Sequence, residues 1–162
     1  ITRIRMTKKI IPVLGTATSY SLKFNQKLDS LDGTTSTLGS YVSSNLFTYS
    51  GQQCMLKDFY DTSSGTRIIQ IVDANGIIYN TNAGSVNETT GTVTLNGFNP
   101  TALPTGQTTI DVKVNPASND IKPMRNELLT IDTSGATITG TIDTMATGGT
   151  TAGIEYETEA SC

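Results

Sequence analysis

The oxygen-bearing residues are the first place to look for chemistry in this chain. Asp73-Ala74-Asn75-Gly76 sets a carboxylate and an amide at alternate positions, as at the start of a calcium loop whose alternating oxygens wrap the ion. The bidentate acid expected further on is missing, because Tyr79, Asn80 and Asn82 occupy that region. Turn chemistry explains the same four residues. Asp111, Asp120, Asp132 and Asp143 could in principle supply the carboxylate pair of a glycosidase, but each flanks a strand or turn where solvated aspartate is ordinary. Asn87-Glu88-Thr89 fits a glycosylation acceptor, a triplet short enough to arise by chance. The chain has no His, which removes the commonest general base and the commonest metal ligand, and with them any Ser-His or Cys-His nucleophile within the chain. It also lacks a cysteine cluster for zinc, a glycine-rich phosphate loop and a nucleophile elbow. These residues lead us to expect a protein that is not an enzyme and carries no cofactor and no metal.

Composition narrows the class further. The 162 residues suffice for one compact domain or two small ones. Aromatics make up 6% and Trp is absent, so Ile, Leu and Val must build most of the core. Thr is the commonest residue and charged residues are only 15%, which favours strands, since β-branched side chains fit a pleated surface and lose rotamer freedom in a helix. A net charge of -3 argues against nucleic acid as a partner. The charge is uneven: Arg3, Arg5, Lys8 and Lys9 form a basic head, and Glu155, Glu157 and Glu159 an acidic tail. Two readings stand side by side, two solvated ends or two ends that meet oppositely charged neighbours in an assembly. Cys54 lies in the apolar context Cys54-Met55-Leu56, as a buried free thiol would, and Cys162 is the last residue. One pair this far apart is not a disulfide framework. No stretch is apolar enough to span a bilayer, and Ile10 to Leu14 is too short, and broken by Pro12, for the core of a secretion signal. The chain opens on Ile1 rather than Met, as a piece of a longer protein would.

The elements that must position these residues read as strands. Tyr20-Ser21-Leu22-Lys23-Phe24 alternates cleanly, with Tyr20, Leu22 and Phe24 on one face. Asp29 to Ser44 reads as a long loop, followed by strands at 45–49 and 53–60 around Ser50-Gly51. The apolar runs 67–72 and 77–80 flank Asp73-Ala74-Asn75-Gly76, and the Asn-Gly pair predicts a hairpin. A second hairpin turns at Glu88-Thr89-Thr90-Gly91. Thr109 to Asn115 points Ile110, Val112 and Val114 inward, Asn126 to Asp132 carries Leu128, Leu129 and Ile131, and 137–143 reads as a terminal strand. The fold expected is mainly β, with antiparallel hairpin-built sheets, sandwich-like, long loops and little helix. Residues 1–19 read as an extended N-terminal arm, 20–143 as the β-rich structural domain and 144–162 as a flexible Thr/Gly-rich tail.

Gly84 to Phe98, the Ile110-x-Val112-x-Val114 strand, and Asp120-Ile121-x-Pro123-x-Arg125-Asn126 within Pro116 to Asp132 together resemble the C-terminal part of the baseplate wedge protein of large contractile-tailed phages, especially those of cyanobacteria. Tyr20 to Asn25 and Phe47 to Gly51 fit the same pattern, so the resemblance covers roughly Tyr20 to Asp143. The Thr- and Gly-rich tail departs from it. The resemblance implies a structural subunit of the virion tail baseplate, folded in the host cytoplasm. It also implies pairing with other copies of itself within a wedge, a ring between wedges around the tail hub, and contacts with other baseplate and hub proteins but with no nucleic acid and no membrane. Asp120, Arg125 and Asn126 are its candidate interface residues. They could make a polar contact between subunits, or Asp120 could cap a turn while Arg125 pairs with a nearby carboxylate. The competing class is a receptor-binding or adhesin β-module of a tail fibre or cell surface.

Overall fold

The computed structural model describes residues 2–33, 38–118, 146–147 and 155–160. Among these the chain is all strand, turn and loop, with no helix. The strands are β1 (Thr2–Ile11), β2 (Thr18–Lys23), β3 (Leu28–Asp29), β4 (Val42–Ser44), β5 (Phe47–Tyr49), β6 (Gln52–Asp61), β7 (Thr66–Asp73), β8 (Ile78–Asn87), β9 (Thr92–Phe98), β10 (Ile110–Pro116), β11 (Ala146–Thr147) and β12 (Glu155–Ala160). They run in one sheet in the order β11-β1-β10-β4-β6-β7-β8-β9-β2, with β12 also on β1, β3 on β10 and β5 on β6. The mainly β, antiparallel, hairpin-built fold read from the sequence is what forms. In place of a sandwich of separate sheets, a single sheet bends until it is nearly barrel-shaped.

Alternation decides which face turns inward. Tyr20 and Leu22 on β2 with Phe24 just beyond it, Leu56 on β6, Ile69 and Ile71 on β7, Val93 and Leu95 on β9, and Ile110, Val112 and Val114 on β10 are all buried in one cluster. Each such side chain contributes roughly 1.5–3 kcal/mol relative to leaving it in water. At one end Phe98 meets Phe47 at 5.1 Å and 89° and Tyr20 at 6.2 Å and 75°. Edge-to-face packing of this kind suits the ring quadrupoles and ties together strands far apart in sequence.

The hairpin expected at residues 73–76 is present, with Val72 opposite Ile78. Its turn differs from the tight Asn-Gly type. Asp73 Oδ1 accepts the amides of Asn75 and Ile77, both at 2.9 Å. That side-chain bridge orders the loop while only Gly76 takes a positive φ, +83°. The doubly left-handed turn falls instead at Ser50-Gly51, with φ of 49° and 78°.

Two stretches sit deeper in the sheet than their sequence suggests. Residues 2–11, inside the segment expected as an arm, form β1, with β10 on one edge and β11 and β12 on the other. Met6, Lys8 and Ile10 all lie on its buried face. The expected loop from Asp29 to Ser44 contains β4, which lies between β10 and β6. Three residues are too few to show a period, so only the burial of Val42 reveals its place. The apolar stretch at 126–132 and the strand expected at 137–143 lie outside the described residues.

Candidate functional site

The inward face of β6 and β7 carries charge where the alternation calls for apolar residues. Asp58 continues the buried row Cys54, Leu56 on β6, and Arg67 opens the row Ile69, Ile71 on β7. Arg67 is only 3% exposed. Its Nη1 donates to Asp58 Oδ2 at 3.1 Å and to the Gly39 carbonyl at 2.8 Å, and its Nε to Glu88 Oε2 at 2.7 Å. The Tyr41 ring stacks on the guanidinium, with its centroid 3.7 Å from Cζ. Asp58 Oδ1 takes three further donors at 2.7 Å, the Ser40 hydroxyl and the amides of Tyr41 and Val42. The cluster therefore fastens residues 39–42 and the β8–β9 turn onto the end of β6 and β7.

Burial works against the Arg67 charge, but the hydrogen bonds and charges of Glu88 and Asp58 outweigh it and hold its pKa above the usual value. Burial, reinforced by the Glu88 charge, pushes the Tyr41 phenol up. Beside the cluster opens a groove of about 420 Å³ between Tyr60, Arg67, Ser85, Asn87 and Glu88. With its strong donors turned onto two carboxylates and a carbonyl, the guanidinium acts as a structural tie.

A second groove, about 380 Å³, lies on the outer face of the same strands and is lined by Met55, Phe59, Val72 and Ile78 together with the polar Lys57, Gln70 and Asp73. Phe59 is 36% exposed, Ile78 46% and Ile77 55%. This surface can bury apolar area against another protein.

No family model, curated protein or solved structure matches the chain.

The residues singled out in the sequence fall in separate places. Asp73 is spent on its turn, as above. Asp111 Oδ1 accepts from the Thr109 hydroxyl at 2.7 Å, and its register partner is Lys9. Asn87 Oδ1 accepts the amides of Thr89 and Thr90 at 3.1 Å, ordering the second hairpin turn. Cys54 is a buried free thiol whose pKa is pushed up by burial and by the Asp73 charge. Asp120, Arg125, Asn126, Asp132, Asp143 and Cys162 lie outside the described residues.

Lys8 belongs to the basic head by sequence but lies on the core face of β1, 6.0 Å from the centre of the Phe24 ring. Loss of hydration lowers its pKa from 10.5 to about 8. Between those two values the unfolded chain holds a proton that the folded chain has released, so this residue makes stability rise with pH across that window. Cys54, with its raised pKa, works in the opposite direction at alkaline pH. The Lys8 effect is therefore read as a difference between wild type and Lys8→Met. Urea unfolding at pH 7.5 and 9.5 is expected to show an extra rise on the order of 1 kcal/mol in the wild type, after allowance for solvent screening. Equal slopes in the two proteins would contradict it.

Proposed function

We propose that this chain is a structural subunit of a phage tail baseplate wedge, joining neighbouring wedges into a ring around the tail hub through protein-protein contacts. The observation that carries the reading is the exposed apolar side chains on the outer face of β6, β7 and β8, set among Lys57, Gln70 and Asp73. Phe59 and Ile78 line the groove there, and Ile77 beside Ile78 is also exposed, apolar area that a partner subunit can cover. The resemblance of Gly84 to Phe98 supports the same reading. That segment ends β8 and supplies the hairpin turn and β9, so it belongs to the scaffold behind this face. Other copies of the chain and other baseplate and hub proteins are the proposed partners, and the virion tail its location.

Peptide mass spectrometry on purified contractile-tailed particles and isolated baseplates tests this reading. Peptides of this chain at baseplate stoichiometry are the expected result. Peptides confined to a detached fibre fraction, or found in no particle, would overturn it.

The groove beside Arg67 favours the second reading, a receptor-binding or adhesin module. Tyr60 with Ser85, Asn87 and Glu88 is a wall of one ring and several polar groups, as sugar-binding surfaces use. Binding on a glycan array that is lost with Tyr60→Ala would establish it.

A further inference from the structure

The tip of the β7–β8 hairpin carries Asn75-Gly76, one of the chain's two Asn-Gly pairs; the other, Asn96-Gly97, lies on β9. An asparagine followed by glycine invites a reaction within the backbone. The nitrogen of the following residue attacks the side-chain carbonyl carbon, and only glycine lacks a Cβ to hinder the approach. Both asparagines are exposed. How firmly each peptide is held therefore decides which pair reacts.

Little holds the first. Among the described residues the Asn75 side-chain amide makes no hydrogen bond, so it can swing over the next peptide. The Gly76 amide donates to the Asp73 carbonyl at 3.1 Å, toward the long end of the usual range. The amides of Asn75 and Ile77 end on the Asp73 side chain, so the loop is tied to itself and to no neighbouring strand. A Cβ built on Gly76 would meet nothing within 4 Å, so the space around this peptide is open. Asn96-Gly97 is held from both ends. Leu95 pairs with Tyr20 and Gly84, and Phe98 pairs with Thr18. Between them the Gly97 amide donates to the Ser19 hydroxyl at 3.3 Å, across the bulge in the β2–β9 pairing. Turning that peptide for attack would part β9 from β2.

We propose that Asn75 is a site of spontaneous modification, converting to aspartate and isoaspartate in the folded protein while the fold protects Asn96. The Gly76 nitrogen loses its proton to solvent base and bonds to Asn75 Cγ. The bond from Cγ to the side-chain nitrogen breaks, and that nitrogen takes a proton from water and leaves as ammonia. Water then opens the five-membered imide at either carbonyl. One opening gives aspartate; the other gives isoaspartate, whose main chain runs through the former side chain and is one methylene longer. Either product sets a new carboxylate in the loop whose Asp73, Ala74 and Gly76 line the second groove. Ageing therefore adds negative charge at the rim of that groove, where a partner covering the face would meet it. None of this depends on the baseplate reading, and purified protein tests it, so its failure would leave the mass spectrometry of particles standing.

The full chain is held in warm, mildly alkaline buffer and sampled over days. Peptide mapping by mass spectrometry, with aspartate and isoaspartate forms separated, follows the mass gain of an acid replacing an amide at each asparagine. Asn75 should convert roughly tenfold or more faster than Asn96, since the hairpin tip opens more readily than a paired strand. Its rate should rise with pH, because the attacking nitrogen must lose its proton. In concentrated urea the two pairs should react at similar rates, which would show that the fold makes the difference. Asn75→Gln, whose ring would need six members, should stay unmodified at this position. An Asn75 that remains an amide in the folded protein while the urea sample reacts would overturn the proposal. So would an Asn96 that converts as fast as Asn75 in the folded protein.

Discussion

Replacing Arg67 with Met is expected to cost about 3–5 kcal/mol of unfolding free energy, the range for stranding a buried charge. The partner left behind is Asp58, whose side chain is fully buried beneath residues 40–42. Its three remaining donors satisfy Oδ1, but Oδ2 loses the guanidinium. The methionine would also abandon the Gly39 carbonyl and the face of Tyr41. Glu88→Gln should cost well under about 1 kcal/mol, because the Glu88 side chain is 42% exposed and its ion pair is screened. Urea titrations of Arg67→Met, Asp58→Asn and the double variant give the coupling directly. A coupling near zero would mean that the two charges are held independently, contrary to the geometry. The comparison with Glu88 separates a buried tie from an ordinary surface pair.

Gly84→Ala is the second large effect, and its cause is backbone against backbone. A Cβ at position 84 would run into the carbonyl oxygen of Thr94 and the Cα of Leu95. Gly84 is the register partner of Leu95, where β8 and β9 begin to pair, and of Ile69 on the other side. No side-chain rotation relieves such a contact, so the strands must part. A loss of about 3 kcal/mol is expected, lowering Tm by roughly 10 °C, with Ser85→Ala next to it close to neutral. Differential scanning calorimetry of the two variants checks this. A Gly84→Ala melt within a degree or two of wild type would refute the close approach.

What the sequence disclosed follows from how local each signal is. The hairpins around residues 50–51, 73–76 and 88–91 were readable because turn residues and alternating strands sit side by side. The inward rows on β2 and β10 were readable for the same reason. β1 and β4 were not, since their buried sides are defined by β10, far along the chain. The arginine cluster does leave a signal in the sequence. Asp58 and Arg67 fall in phase with the apolar rows Cys54-Leu56 and Ile69-Ile71, and Lys8 likewise falls between Met6 and Ile10. A charged residue at an inward position of a strand needs a partner or a shifted pKa. That rule would have found all three. Asp73 allows two readings in the sequence, since a calcium loop and a side-chain-bridged turn begin with the same residues, and the missing bidentate acid already favours the turn. The geometry assigns its Oδ1 to backbone amides.

The strand order also dictates when the protein can finish folding. β6, β7, β8 and β9 are joined by short turns and can pair as soon as they are synthesised. β1 is made first, yet Arg5 meets Asn115, 110 residues later. Until β10 leaves the ribosome, the apolar face of β1 has no mate, and β2 must wait in the same way for β9. Closure therefore pays a large loop entropy late, after the hairpins have formed, and refolding should be slow for a chain of this size. During that interval the exposed edge of β1 is open to strands of neighbouring nascent chains, so the yield of correctly closed protein should fall as the concentration of newly made chains rises.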